Sequence, residues 1–499
     1  MRLALSSWLI HLAILWVWSV AFAFLPSWAT GIPASRLLSS DAEYYAAVTQ
    51  RLTDPLANTG DLSLAPDLLP STERASLIAL ANLARTTHAD LLDAWVIYEI
   101  LAALLFTAAL YWLLVTATRS RAVSFVTTLI VSLGVHALGG SAFGFEPRGF
   151  VPRDAALGIA VLFVLAYLRT GSDRSRACVF LACGVAANGY SPLFAHLVAV
   201  LWLGELAKRR RVTVPLIAFG VLAVLGALPT VIDVAATRVA TAPPDPIVFQ
   251  IRAGYVLVTP LLPALVQYLR RPLLAFAVII IVYLSCRGRW TDDERARLIP
   301  FFRIGLAAAL LSAFGVLFEQ GTPLARLLLS RSAVFLILAS IPICLLGLPI
   351  AARGRVRRPP AVGLAAAMIF FALQSNILTD IRSVSAAVAQ REQRLDLLRI
   401  ATALTAQSEH GEIFLAPSED ADDVAASLRT YALRPAYVTY KDLGIVFYDG
   451  QRARALYSRW TESEVALQGD QGRLRDFMAA HEIRIAVVHS TAGYELIRR

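Results

Sequence analysis

For roughly its first 380 residues the chain alternates long apolar runs with short charged ones, and then the alternation stops. An apolar run of about 18 residues or more is long enough to cross a bilayer as a helix, so each such run predicts a span. On this reading spans lie at about 3–25, 91–117, 122–143, 154–169, 177–188, 192–206, 213–235, 272–286, 299–318, 325–350 and 361–381. The fifth and sixth are one apolar stretch divided by the turn cluster Asn188-Gly-Tyr-Ser-Pro192. Residues 251–268 are apolar too, but they carry Pro260 and Pro263 between Arg252 and the Arg270-Arg271 pair. If they cross, the charged loop 286–297 faces out and the C-terminal part faces in. If they form a re-entrant or surface helix, that loop and the arginine run 353–358 both face in, as the positive-inside rule prefers. The second choice gives about 11 transmembrane helices, with the N-terminus inside and the C-terminus outside.

Two stretches depart from this pattern. Residues 26–90 form a polar first loop on the outer side, with turns at Pro26, Pro33, Pro55, Gly60, Pro66 and Pro70. Within it 41–52 and 71–88 read as short helices lying along the membrane surface, the first capped by Ser40. From 383 the composition turns soluble. A charged helix at 383–409 is followed by strand-like runs at 412–417, 436–440 and 483–488, separated by helical stretches near 419–432 and 471–482. Strands alternating with helices predict a small parallel α/β sheet. The fold class is therefore a polytopic α-helical membrane protein, residues 1–382, with a small C-terminal α/β soluble domain, residues 383–499.

Composition sharpens this picture. The chain is 57% hydrophobic with a mean hydropathy of +0.61, well above the roughly 45–50% apolar content of soluble domains. Its net charge of +10 sits largely in arginine clusters between spans, such as 119–121, 169–176 and 208–211, which explains it without nucleic acid. Cys178, Cys183, Cys286 and Cys344 lie in or beside apolar runs, without metal-type spacing, and read as buried thiols. Ala21-Phe22-Ala23 resembles a signal-peptidase site, but the apolar run before it has the length of an uncleaved span.

The candidate chemistry lies in the first loop. Asp41, Glu43, Tyr44 and Tyr45 are delivered just outside the first span, and Asp41 shares a helix face with Tyr44 (i,i+3) and Tyr45 (i,i+4). A carboxylate at the membrane surface can take a proton from a hydroxyl acceptor, and burial raises its pKa toward a useful range. Arg148, Arg153, Arg252, Arg270, Arg271, Arg326 and Arg331 fall at outer loop edges, against the positive-inside bias. Arg331 falls a turn or two into the hydrocarbon, which calls for a partner: a carboxylate such as Glu319, or a phosphate. His136 and His196 read as packing residues inside spans, and Asp233 as a helix-end charge; no metal ligands are assigned.

A short N-terminal span, a large outward first loop with an acidic motif, many spans and an outward C-terminal domain together resemble the GT-C superfamily of membrane glycosyltransferases. The segment Pro147–Arg153, the turn 188–192 and the stretch Leu428–Lys441 also resemble bacterial GT-C-like proteins of unassigned function. The resemblance implies an inverting transfer on the outer face of the bacterial cytoplasmic (inner) membrane. Its donor would be a polyprenyl-phosphate-linked sugar and its acceptor an envelope glycan, lipid or protein. Asp41 or Glu43 would be the base, and the outer arginines would hold the leaving phosphate. Segments near 251–271 and 319–331 would form the lipid groove. No cofactor is fixed, and a divalent metal is admitted. The family motif has adjacent acids where this chain reads Asp-Ala-Glu, so either carboxylate can be the base. The alternative is a non-catalytic GT-C-like partner in polysaccharide assembly or export. A secondary transporter fits less well, because the spans contain few ionisable residues and no inverted repeat is visible.

Overall fold

A computed structural model of the chain describes residues 2–38, 40–54, 56–61, 64, 73–88, 90–133, 152–237, 245, 247–248, 251, 270–286, 289–318, 329–352, 363, 366, 381–382, 384–419, 423–447, 450–490 and 493–499. The chain is predominantly helical. Among the described residues, four helical stretches are long and apolar enough to cross a membrane: Trp8–Thr30, Leu91–Thr118, Asp292–Gly315 and Leu329–Leu348. The first lies in α1 (Arg2–Thr30), whose Leu9, Ile10, Ile14 and Val17 are exposed, as expected of a helix that faces lipid.

The other bundle helices are α4 (Leu91–Thr118), α5 (Arg121–Val131), α6 (Pro152–Arg169), α7 (Asp173–Ala187), α8 (Ser191–Arg209), α9 (Val214–Gly226), α10 (Leu228–Thr237), α11 (Arg270–Cys286), α12 (Asp292–Phe318) and α13 (Ala333–Ala352). The first loop contributes α2 (Ser40–Thr53) and α3 (Arg74–Thr87). Asp90 caps α4 by accepting the Leu92 N–H at 2.8 Å. The predicted break at 188–192 is present: Asn188 stops α7 and donates to the Gly226 carbonyl at 2.9 Å, and Pro192 sits in the first turn of α8. The surface or re-entrant helix expected at 251–268 lies outside the described residues apart from Ile251. So does most of the span expected at 361–381 and the second half of that at 122–143.

The helices have two distinguishable ends. At one, α3 reaches the α7–α8 turn through Ser76 Oγ, which donates to the Gly189 carbonyl at 2.7 Å. Asn188 also accepts from the Thr230 N–H at 3.1 Å, so α9 ends and α10 begins at that same end. Ser312 donates to the Ser330 carbonyl at 3.1 Å, near the C-terminal half of α12. At the other end Arg119 pairs with Asp293 at 2.8 Å, and Arg297 donates to the Ala117 carbonyl at 2.9 Å. Tyr283 packs edge-on against Trp290 and Phe302, so α11 finishes where α12 starts and begins at the first end. The second end also holds Glu205, buried among Tyr167 (2.8 Å), Arg209 (3.0 Å) and Arg176 (3.2 Å). Arg121, Arg169, Arg174 and Lys208–Arg211 gather there as well.

The C-terminal domain is a three-layer unit. Its sheet is β1 (Phe414–Leu415), β2 (Ile485–Ser490) and β3 (Gly493–Arg498) in that order. Alternation along β2 sends Ile485 and Val487 to α14 (Arg391–Gln407) and α15 (Val424–Ala432). Ala486 and Val488 face α16 (Gly450–Leu467) and α17 (Gln471–Ala480). The sheet is mixed, which corrects the parallel sheet predicted from the strand–helix alternation. β1 and β2 pair in parallel, but β3 folds back antiparallel on β2, with Gly493 at φ +121° beside the turn. The strand predicted at 436–440 is reduced to one bridge, Phe414 to Ala436. The reason is local: Asp442 accepts the Thr439 N–H at 2.7 Å and draws the chain into a 3-10 helix, Tyr440–Phe447.

Candidate active site

Helix α2 is enclosed by the rest of the chain rather than solvated. Ala42, Ala46, Ala47 and Val48 are fully buried, and the helix is enclosed by α3, α4 and α15. Its acids separate for a geometric reason. Residues two apart on an α-helix project about 200° from each other, so Asp41 and Glu43 leave on opposite sides.

Glu43, 3% exposed, enters the C-terminal domain. Its Oε1 accepts from Ser427 Oγ at 2.7 Å and from Arg394 Nη2 at 2.9 Å, and its backbone carbonyl accepts from Thr430 Oγ1 at 2.8 Å. Arg394 also donates to Tyr431 OH at 2.6 Å and to the Arg36 carbonyl at 2.8 Å. A second buried centre stands beside it. Arg429, fully buried, pairs with Asp442 at 2.9 Å and Asp61 at 3.2 Å, and its guanidinium lies over Tyr44 at 5.8 Å. Gln50 Nε2 donates to the Thr430 carbonyl at 2.9 Å. Glu43 and Tyr44 therefore join the first loop to the C-terminal domain.

Asp41 points the other way and keeps 36% of its side-chain surface. Lys441 Nζ is 2.8 Å from its Oδ1, and Arg153 Nη1 is 3.7 Å from its Oδ2. These cations come from the C-terminal domain and from the first turn of α6. Glu73, buried just before α3, is hydrogen-bonded by the Tyr45 hydroxyl. Burial pushes its carboxyl up to about 7, against the opposing influence of that hydrogen bond, Arg153 and Arg331. Tyr190, from the α7–α8 turn, lies within electrostatic reach of Glu73, Arg153, Arg331 and Asp41. Two carboxyls, three cations and two phenols thus converge at the first end of the bundle, under the C-terminal domain.

Of the residues singled out from the sequence, Asp41, Tyr45, Arg153 and Arg331 come together here, while Glu43 and Tyr44 face the domain junction. Arg271 is half-buried in the first turn of α11, at the same end. The side chain of Arg270, and Arg148, Arg252, Arg326, His136 and Glu319 altogether, lie outside the described residues. His196 is buried in α8, and Asp233 is exposed on α10. Among the described residues no three His, Cys, Asp or Glu side chains are grouped to hold a metal ion.

Glu73, Tyr190 and Lys441 were not among the predicted site residues. Deeper in the bundle Glu99 of α4 and Asp154 of α6 are buried near Tyr98. The spans therefore hold more interior charge than expected. Glu99 could have been found, because it interrupts an otherwise apolar run. Lys441 carries no such local signal. Compared with known proteins, the chain matches no protein-family model and no curated protein.

Proposed function

We propose that this chain is a membrane glycosyltransferase of the GT-C type, with Asp41 as its base. The observation that carries the reading is the junction at Asp41: a partly exposed carboxylate, with Arg153 beside it and Arg331 near Glu73, at a membrane-proximal end closed by a soluble domain. The arginine-rich opposite end fits the cytoplasmic side, which supports a site on the outer face of a bacterial cytoplasmic membrane. α9 ends and α11 begins at the same end, which supports the reading of eleven crossings. Asp41 takes the proton of an acceptor hydroxyl, and that oxygen attacks the anomeric carbon of a polyprenyl-phosphate-linked sugar with inversion. The C–O bond to phosphate breaks, and its electron pair leaves on the phosphate, whose charge Arg153 and Arg331 offset. The acceptor is an envelope glycan, lipid or protein.

The test uses membranes carrying wild type or Asp41→Asn, supplied with a panel of polyprenyl-phosphate-linked sugars, with released polyprenyl phosphate as the readout. The expected result is release from at least one donor, reduced on the order of 10²-fold or more in Asp41→Asn at equal protein level. No release from any donor, or equal release by both proteins, overturns the reading. The first result favours the alternative of a non-catalytic assembly partner, for which the tight Asp41–Lys441 pair is a purely structural link.

A further inference from the structure

The C-terminal domain contributes one side chain directly to the junction at Asp41, and holds it there firmly. Lys441 sits in the 3-10 helix Tyr440–Phe447, and both its neighbours are fixed. The Tyr440 N–H donates to Ser418 Oγ at 2.6 Å, and its hydroxyl donates to the Ile251 carbonyl at 3.0 Å. Asp442 is tied to buried Arg429 at 2.9 Å and to the Thr439 N–H at 2.7 Å. Lys441 is itself only 10% exposed, yet its ammonium meets the most open carboxylate of the site. A long cationic side chain immobilised in this way is organised before any ligand arrives, so little flexibility is lost when one binds.

The charge balance indicates what it would bind. Among the described groups that meet at the junction, Asp41 and Glu73 face Arg153, Arg331 and Lys441, so these cations outnumber the two acids even when both are ionised. Glu99 and Asp154 lie deeper, near Tyr98. Glu73 is buried, which favours its neutral form against the opposing influence of the Tyr45 hydrogen bond and leaves a larger excess of positive charge. A cation excess in a partly desolvated site suits a compact, multiply charged anion.

We propose that Lys441 is the third cation of a phosphate site shared by the membrane bundle and the C-terminal domain, pairing with Asp41 at rest and turning to the phosphate when it enters. For the identity of the ligand this rests on the proposed function, but it concerns binding alone. Protonation of Asp41 during transfer removes the charge that holds Lys441, so the ammonium is released to the phosphate as that group gains charge.

The full-length protein in nanodiscs is titrated with undecaprenyl phosphate, with undecaprenol as the uncharged control and inorganic phosphate as competitor. Lys441→Met is expected to weaken undecaprenyl phosphate binding about 10-fold, and Lys441→Arg to stay within about 3-fold of wild type. Undecaprenol binding should not change. The double variant Asp41→Asn/Lys441→Met leaves no broken ion pair, so it keeps the comparison valid if the single variant unfolds; it should bind as weakly as Lys441→Met. Competition by millimolar inorganic phosphate identifies a site for phosphate itself, and its absence a site that needs the lipid; either supports the assignment. Binding of the phosphate by Lys441→Met or the double variant as tightly as by wild type overturns it, as does wild type binding neither phosphate. Weakened binding without any Asp41-dependent transfer leaves this inference standing and removes the glycosyltransferase reading. Asp41-dependent transfer with unaltered binding in Lys441→Met does the reverse.

Discussion

Ser427 Oγ donates to Glu43 Oε1 at 2.7 Å across 384 residues of sequence, so a first-loop acid is completed by the C-terminal domain. With Arg394 at 2.9 Å on the same oxygen, Glu43 is a buried ion pair holding two parts of the chain together. Removing one partner of such a pair strands the other charge, which typically costs about 3–5 kcal/mol. Glu43→Gln and Arg394→Met should each destabilise the folded protein by about that much, and the double variant by clearly less than their sum. Thermal or denaturant unfolding of the three variants measures this. Additive costs would mean that the pair is not coupled.

Glu73 makes the protein's stability depend on pH in a particular direction. Its carboxyl is at about 7 in the folded protein and near 4.5 when exposed, so the folded state holds a proton that the unfolded state has already lost. The stabilisation is complete below about pH 4.5 and disappears as pH rises through about 7, at up to about 1.4 kcal/mol per unit. Between about pH 5 and pH 8 wild type should lose on the order of 3 kcal/mol more than Glu73→Gln, whose amide keeps a partner for Tyr45. Asp423, raised by burial to about 6, titrates in the same sense in both proteins and cancels in the difference. Parallel melting-temperature curves for the two proteins would rule out this role for Glu73.

Much of the bundle was legible because an apolar run states its own length, and the polar turn at 188–192 states its own break. Helix ends were less legible. α12 starts at Asp292 rather than near 299, because a capping exchange, Thr291 N–H to Glu294 and Glu294 N–H to Thr291 Oγ1, extends it beyond the apolar run. In the site, the two-residue spacing of Asp41 and Glu43 already implied opposite faces, so their separate fates could have been argued beforehand. What local pattern could not give was the choice of partners. Lys441 meets Asp41 over 400 residues; it is one of only two lysines in the chain, the other being Lys208, but that rarity does not say which acid it meets. The strand β3 was missed for a milder reason: only Tyr494 of its six residues is fully buried, so its alternation is faint.

Glycines set the closest helix approach. α7 and α9 run side by side, with Phe180 stacked on Phe219 at 5.0 Å. A Cβ at Gly184 would lie 2.1 Å from the Ala223 carbonyl oxygen, and one at Gly226 would lie 2.5 Å from the Leu181 carbonyl oxygen. Small residues allow such backbone contact in membranes. Gly184→Ala must push the helices apart, at a cost of about 1–3 kcal/mol. Gly171→Ala, with open space around it, should be close to neutral. Comparing the melting temperatures of the two variants in detergent tests this, and an unshifted Gly184→Ala would refute the tight packing.

The arrangement as a whole makes a prediction about membrane sides. The first loop and the C-terminal domain touch through Asp41–Lys441, Glu43–Ser427 and Arg429–Asp61, so they must share a compartment, while the α8–α9 turn lies at the other end of the bundle. Leu56 in the first loop and Val212 in that turn are 64% and 59% exposed, and Gln471 at the start of α17 is exposed as well. Single cysteines at these three positions, with Cys178, Cys183, Cys286 and Cys344 replaced, would be treated with an impermeant thiol reagent. Leu56→Cys and Gln471→Cys should label in intact cells, and Val212→Cys only after the membrane is opened. If Leu56→Cys and Gln471→Cys label from opposite sides, Lys441 cannot reach Asp41, and the shared phosphate site fails with that contact. If they label together but from the cytoplasm, the junction survives and the outward-facing transfer reaction does not.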